Sequence, residues 1–150
     1  MTVDRDSTII LMADDDDDDY FLVRDALAGT RLANDLRRVS NGVELMEYLR
    51  RQGRYADAAL SPRPGVILLD LNMPLMDGRE VLEQLKSAPD LRRIPVVVMT
   101  TSQAEEDVSG SYDRGASSFI VKPVTFDELV RVMQSLGDYW IETVRLPAHE

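Results

Sequence analysis

Short apolar runs recur along the chain, and between them the apolar positions fall at helical spacing. "TIILMA" (8–13), "GVILLDL" (65–71), "IPVVVMTTS" (94–102) and "SSFIVKP" (117–123) read as buried strands, and "DLRRVS" (35–40) as a weaker one. After them come "YFLVRDALAGT" (20–30), "NGVELMEYLRRQG" (41–53), "DGREVLEQLKSAP" (77–89), "AEEDVSGSYDRG" (104–115) and "TFDELVRVMQSLGDYWIETV" (125–144). The first helix would turn Phe21, Leu22, Ala26 and Leu27 inward and end at Gly29. The second would bury Val43, Leu45, Met46 and Leu49 and stop at Gly53. In the last, Thr125 and Glu128 form a capping box. Five βα units with continuous apolar strands predict a doubly wound α/β domain, its parallel sheet covered by helices on both faces.

Composition narrows the chemistry. The net charge is −10, so non-specific binding to nucleic acid, which needs clustered cations, is not expected. There is no cysteine, which removes disulfides, thiolate catalysis and cysteine zinc sites. The one histidine, His149, stands next to the last residue and reads as a solvated tail residue. No apolar run approaches the ~18 residues of a membrane span. "MTVDRDST" is unlike a signal peptide, so a cytoplasmic location is expected.

Ligands of open parallel sheets bind beyond the carboxyl ends of the strands. Asp14 and Asp15 follow the first strand, Asp70 the third, Thr100, Thr101 and Ser102 the fourth, and Lys122 the fifth. Three carboxylates at one edge require a cation, and magnesium suits oxygen ligands beside a phosphate. Lysine and threonine suit the accompanying anion. The pattern points to phosphoryl transfer onto a carboxylate, with Asp70 at the end of a rigid strand as the nucleophile.

"MADD", "LLDLNMPLMDG", "MTTS" and "FIVKP", in order at the ends of strands one, three, four and five, resemble the response-regulator receiver domains of two-component signalling. The resemblance runs from residue 8 to 144, with 1–7 and 145–150 as tails. It implies the flavodoxin-like (βα)5 sandwich with strand order 2-1-3-4-5. It also implies Asp70 as phosphoacceptor for a sensor histidine kinase or a histidine phosphotransfer protein. Mg2+, with Mn2+ as a substitute, would be held by Asp14, Asp15, Asp70 and the backbone carbonyl of Asn72. Lys122, Thr100 and Thr101 would bind the phosphoryl group. Phe119 would be the switch aromatic, and Asn72 and Ser102 would tune slow self-hydrolysis. The Lys122–Pro123 peptide would be cis.

"RRQGRYADAALSPRPGVILLDLNMP", "DLRRIPVVVMTTS" and "YWIETVRLP" are similar to regulators partnered with phytochromes, which implies a photoreceptor kinase as input. It also implies a homodimer through the fourth helix, fifth strand and fifth helix. Leu129, Val132, Met133, Leu136 and Trp140 make one apolar stripe of the last helix. Val130, Gly137, Ile141 and Val144 make a second, which with Tyr139 suggests a partner surface. Signalling through protein contacts, without a DNA-binding output domain, is the expectation for so short a chain.

Two other chemistries fit less well. The haloacid-dehalogenase phosphatases resemble D-x-D-x-T, but "DLNMP" has Asn72 and Pro74 at the third and fifth positions. An EF-hand counted from Asp14 would need glycine and glutamate where Asp19 and Asp25 stand. Asp16 to Asp19 read as a solvated first turn of the helix, one of them its N-cap.

Overall fold

Five parallel strands, β1 (Ile10–Ala13), β2 (Leu36–Val39), β3 (Val66–Leu69), β4 (Val96–Thr100) and β5 (Ser118–Val121), lie in the order β2-β1-β3-β4-β5. The computed structural model describes residues 9–28, 35–101 and 105–137. Ile10 pairs with Leu36 on one side and Val66 on the other, so β1 is flanked by β2 and β3. The winding direction reverses there, and the crevice it opens at the carboxyl ends is where such sheets bind ligands.

Alternation along the strands divides the core in two. Leu11, Ala13, Ile67, Leu69, Val96 and Val98 face one side, against α2 (Gly42–Arg50) and α3 (Gly78–Ser87) through Leu45, Met46, Tyr48, Val81, Leu82 and Leu85. Ile10, Met12, Val66, Leu68, Val97 and Met99 face the other. There they meet α1 (Asp17–Leu27) and α5 (Phe126–Gly137) through Val23, Ala26, Leu27, Leu129 and Met133. Each Val, Leu, Ile or Met side chain among them contributes about 1.5–3 kcal/mol on full burial. The apolar layers therefore hold the fold, and the strand-end charges are free to serve chemistry. α4 (Glu105–Asp113) leans on β5, where the Tyr112 hydroxyl accepts the Phe119 N–H at 3.2 Å.

The helix starts follow capping chemistry. Asp16 caps α1, its carboxylate accepting N–H groups of Asp18 and Asp19; Asn41 and Asp77 cap α2 and α3. Thr125 accepts the Glu128 N–H at the start of α5. Several expected details are corrected. α1 buries Val23, Ala26 and Leu27, while Phe21 and Leu22 are each 45% exposed. The helix starts three residues before the expected Tyr20, and its inward stripe follows from that packing. It is capped by Ala28, and Gly29 lies outside the described residues. In α2, Val43 faces solvent and Tyr48 is buried instead. α2 ends not at Gly53 but at Arg50, with Arg51 left-handed at φ 54°; Gly53 (φ 58°) opens a single 3-10 turn, Gly53–Tyr55.

The long connection to β3 is tied down by polar contacts. The Tyr48 hydroxyl donates to the Pro62 carbonyl (2.7 Å), and the Ser61 hydroxyl donates to that of Tyr55 (2.9 Å). Burial pushes the Tyr48 pKa up to about 12. No described peptide bond is cis, so Lys122–Pro123 is trans, as the intrinsic preference of an X-Pro bond favours. On α5, Val132 and Leu136 are half-buried against the α1 side of the core, as expected, and so is Val130. Ser102, Tyr139, Trp140, Ile141 and Val144 lie outside the described residues.

Candidate functional site

The ladder extends one residue past each strand and sets the site residues in place. The Asp14 N–H donates to Val39, that of Asp70 to Ala13, and that of Lys122 to Thr100. Asp14 and Asp70 thereby stand side by side at the β1–β3 crevice, with Lys122 reaching in from β5. Asp14 is 1% exposed and Asp70 7%. Each carboxylate is oriented by a backbone donor two residues on: Asp16 N–H to Asp14 Oδ1 at 2.9 Å, and Asn72 N–H to Asp70 Oδ1 at 3.1 Å.

The exposed Asp15 completes a group in which one carboxylate oxygen from each of Asp14, Asp15 and Asp70 lies within 4.8 Å of the others. Two buried carboxylates at that separation repel by about 3–4 kcal/mol at an effective dielectric near 20. Lys122 offsets this: its Nζ lies 2.8 Å from Asp14 Oδ2, 3.1 Å from Asp70 Oδ2 and 2.5 Å from Asp19 Oδ2. Burial raises the Asp14 pKa above the ordinary carboxylate value, and Lys122 and the Asp16 N–H offset this only in part. Burial works against the Lys122 charge, but its bonds to Asp14 and Asp19 and the charges of Asp14 and Asp70 outweigh that and hold its pKa above the ordinary lysine value. The donors are all oxygen, two of the three carboxylates are buried, and they exceed the positive charge nearby. That set fits a hard divalent cation.

Thr100 is fully buried at the end of β4, and its hydroxyl accepts from the Asn72 side-chain amide at 3.3 Å. Thr101 is exposed beside it. Phe119 is half-buried, packed against the α2–α3 side of the core. Gly78 passes under the site: a Cβ there would lie 2.5 Å from the Asp70 carbonyl oxygen.

Residues 10–134 match the model of the response regulator receiver domain. The chain belongs to that family. The receiver domain is 42% identical over 140 residues to response regulator Rcp1 of Synechocystis, covering 93% of each chain. Rcp1 has been solved in a Mn2+-bound form, with a TM-score of 0.85 over 94% of this chain and 99% of that one. The phosphorylated cyanobacterial phytochrome response regulator RcpA has a TM-score of 0.87 at 40% identity, over 95% of this chain and 99% of that one. RPA3017, from red light signalling of R. palustris, has a TM-score of 0.88 at 33% identity, over 94% and 99%. This receiver domain is thus a response regulator related to the phytochrome-associated Rcp1 and RcpA. No helix among its described residues is long and apolar enough to cross a membrane.

Two residues of the receiver-domain site escaped the sequence reading. Asp19, expected in a solvated turn, places its carboxylate on Lys122. Arg38 donates from Nε to the Asp14 carbonyl (3.1 Å) and from Nη1 to Asp17 (2.5 Å), tying β2 to the start of α1. Its position at the end of the strand beside β1 was the available signal. The other aspartates of the run divide as expected: Asp16 is the N-cap, and Asp17 and Asp18 are exposed.

Proposed function

We propose that this receiver domain accepts a phosphoryl group on Asp70 from the phosphohistidine of a sensor histidine kinase or a histidine phosphotransfer protein, in a Mg2+-dependent reaction. The observation that carries the reading is the approach of the Lys122 ammonium to Asp70 Oδ2 beside the converging Asp14 and Asp15 carboxylates. An Asp70 carboxylate oxygen attacks phosphorus, the P–N bond breaks, and the imidazole leaves with the electron pair. Asp14, Asp15, Asp70 and the Asn72 carbonyl would hold the cation, Mg2+ or Mn2+ in its place. When bound, it supplies positive charge against the phosphoryl oxygens. Lys122 pairs with one of those oxygens. Thr100 exchanges its Asn72 contact for another, with Thr101 at the rim, and Phe119 shifts with them. Asn72 and Ser102 flank the approach of hydrolytic water. The phosphorylated form of RcpA and the Mn2+-bound form of Rcp1 support this reading.

The names of these relatives support a phytochrome-type kinase as the input; we further propose cytoplasmic signalling through protein contacts and a homodimer through α4, β5 and α5. An apolar groove of about 540 Å3 runs between β5 and α5, lined by Ile120, Val132 and Leu136, with Tyr112 exposed on α4 and Val121 on β5. A second copy of the chain would cover it. Sedimentation with and without phosphodonor should find a dimer, and a monomer in both states would remove that part. Incubation with acetyl phosphate and Mg2+ should add one phosphoryl group by intact mass, and Asp70→Asn should abolish it. Undiminished labelling of the variant would overturn the assignment.

A further inference from the structure

We propose that Asp19 is a positioning residue for Lys122, holding its ammonium beside Asp70 once a divalent cation occupies the three-carboxylate group; this rests on the function proposed above. Of the three carboxylates on Lys122, that of Asp19 is nearest, at 2.5 Å against 2.8 Å for Asp14 and 3.1 Å for Asp70. Among the described residues it is also the one that lies outside the group able to converge on an ion.

That division matters when the cation arrives. Asp14 and Asp70 must turn oxygens to it, and its charge repels the ammonium that the same two residues hold. Among the described residues, the Asp19 carboxylate is committed to the lysine alone. Its place is built into the fold. It stands in the first turn of α1, which Asp16 caps. Asp19, Val23, Ala26 and Leu27 share the inward stripe of that helix, so packing against the sheet fixes the direction of the carboxylate. The contact is well shielded, with the Lys122 side chain 13% exposed and that of Asp19 31%, and it is screened less than a surface pair would be.

The experiment compares Asp19→Asn, Asp19→Glu and Asp18→Asn with the parent chain. Asp18 is exposed in the same turn and makes no contact with Lys122, so its variant removes the same charge without the same bond. Three quantities are read: Mg2+ affinity by calorimetry without phosphodonor, the phosphorylation rate with acetyl phosphate at saturating Mg2+, and the NMR signal of the Lys122 side-chain ammonium in Mg2+. Asp19→Asn should slow phosphorylation roughly tenfold, the scale on which misplaced groups act. It should change Mg2+ affinity far less and erase the protected ammonium signal. Asp19→Glu should restore much of the rate and the signal, and Asp18→Asn should resemble the parent.

A parent-like or faster rate and an intact ammonium signal in Asp19→Asn would overturn the proposal. An equal loss in Asp18→Asn would also overturn it, reducing the effect to local charge. If the parent itself took up no phosphoryl group, the function proposed above would fail, and the ammonium signal would still decide the role of Asp19.

Discussion

The alpha carbon of Gly78 lies against the peptide of Asp70. A Cβ at Gly78 would come within 2.5 Å of the Asp70 carbonyl oxygen and 2.8 Å of the Leu71 Cα, both backbone atoms that cannot rotate away. The Gly78 N–H also donates to the Leu71 carbonyl at 3.0 Å, so helix α3 and the loop after Asp70 are built as one piece. Gly78→Ala should cost about 1–3 kcal/mol of stability. Phosphorylation should fall too, because the loop that must shift carries Asp70. Urea unfolding and acetyl phosphate labelling test both, and an unchanged urea midpoint would contradict the contact.

Asp14 gives a pH dependence whose sign can be worked out. Its pKa is raised in the folded state, so its proton favours folding. That contribution is fully present below the ordinary value of 3.8 and is lost as pH rises through the elevated one. Asp14→Asn cannot ionise. In metal-free buffer at neutral pH it should be more stable than the parent, with the advantage shrinking as pH falls toward the ordinary value of 3.8. It should also bind Mg2+ more weakly. Urea midpoints across that range check the sign, and a less stable variant at neutral pH would reverse it.

The aspartate run should divide under mutation. Asp15→Ala removes one of three converging carboxylates and should weaken Mg2+ binding and phosphorylation by at least about tenfold. Asp16→Ser keeps an N-cap oxygen, and Asp17→Ser loses an exposed partner of Arg38. Together these two changes should alter phosphorylation little. Equal losses in calorimetry and labelling would show that the run acts only through its summed charge.

Tyr48 should matter to the fold and not to the chemistry. Tyr48→Phe removes the bond to the Pro62 carbonyl and should cost about 1 kcal/mol at neutral pH. With the Tyr48 pKa pushed up to about 12, mainly by burial, its contribution is complete below 10.0 and lost as pH rises through about 12. The stability difference between parent and variant should therefore close over that interval. A difference that stayed constant would mean the hydroxyl ionises freely in the folded chain.

The strand ends were legible because each apolar run stops at a chemistry-bearing residue, and parallel pairing carries Asp14, Asp70, Thr100 and Lys122 to one edge. Asp19 was not legible for a reason of phase. Six consecutive aspartates carry no periodicity of their own, so which of them faces the sheet depends on the apolar residues that follow. Phe21 and Leu22 suggested an inward face that Val23, Ala26 and Leu27 occupy instead, and Asp19 belongs with those three. The Pro62 carbonyl acts through a tertiary contact that leaves no local pattern. The trans Lys122–Pro123 bond shows the limit of carrying a family feature onto a particular chain.

The bond between Asp14 and Lys122 joins residues 108 positions apart, with Asp70 between them in the chain. A growing polypeptide therefore exposes its acidic residues long before the lysine that counterbalances them. Until β5 pairs with β4, Asp70 lacks the ammonium that lies beside it in the folded chain. Under the proposed function, competence to receive a phosphoryl group would arrive with the last strand, and an incompletely synthesised or misfolded copy would stay silent in the relay instead of consuming phosphoryl groups.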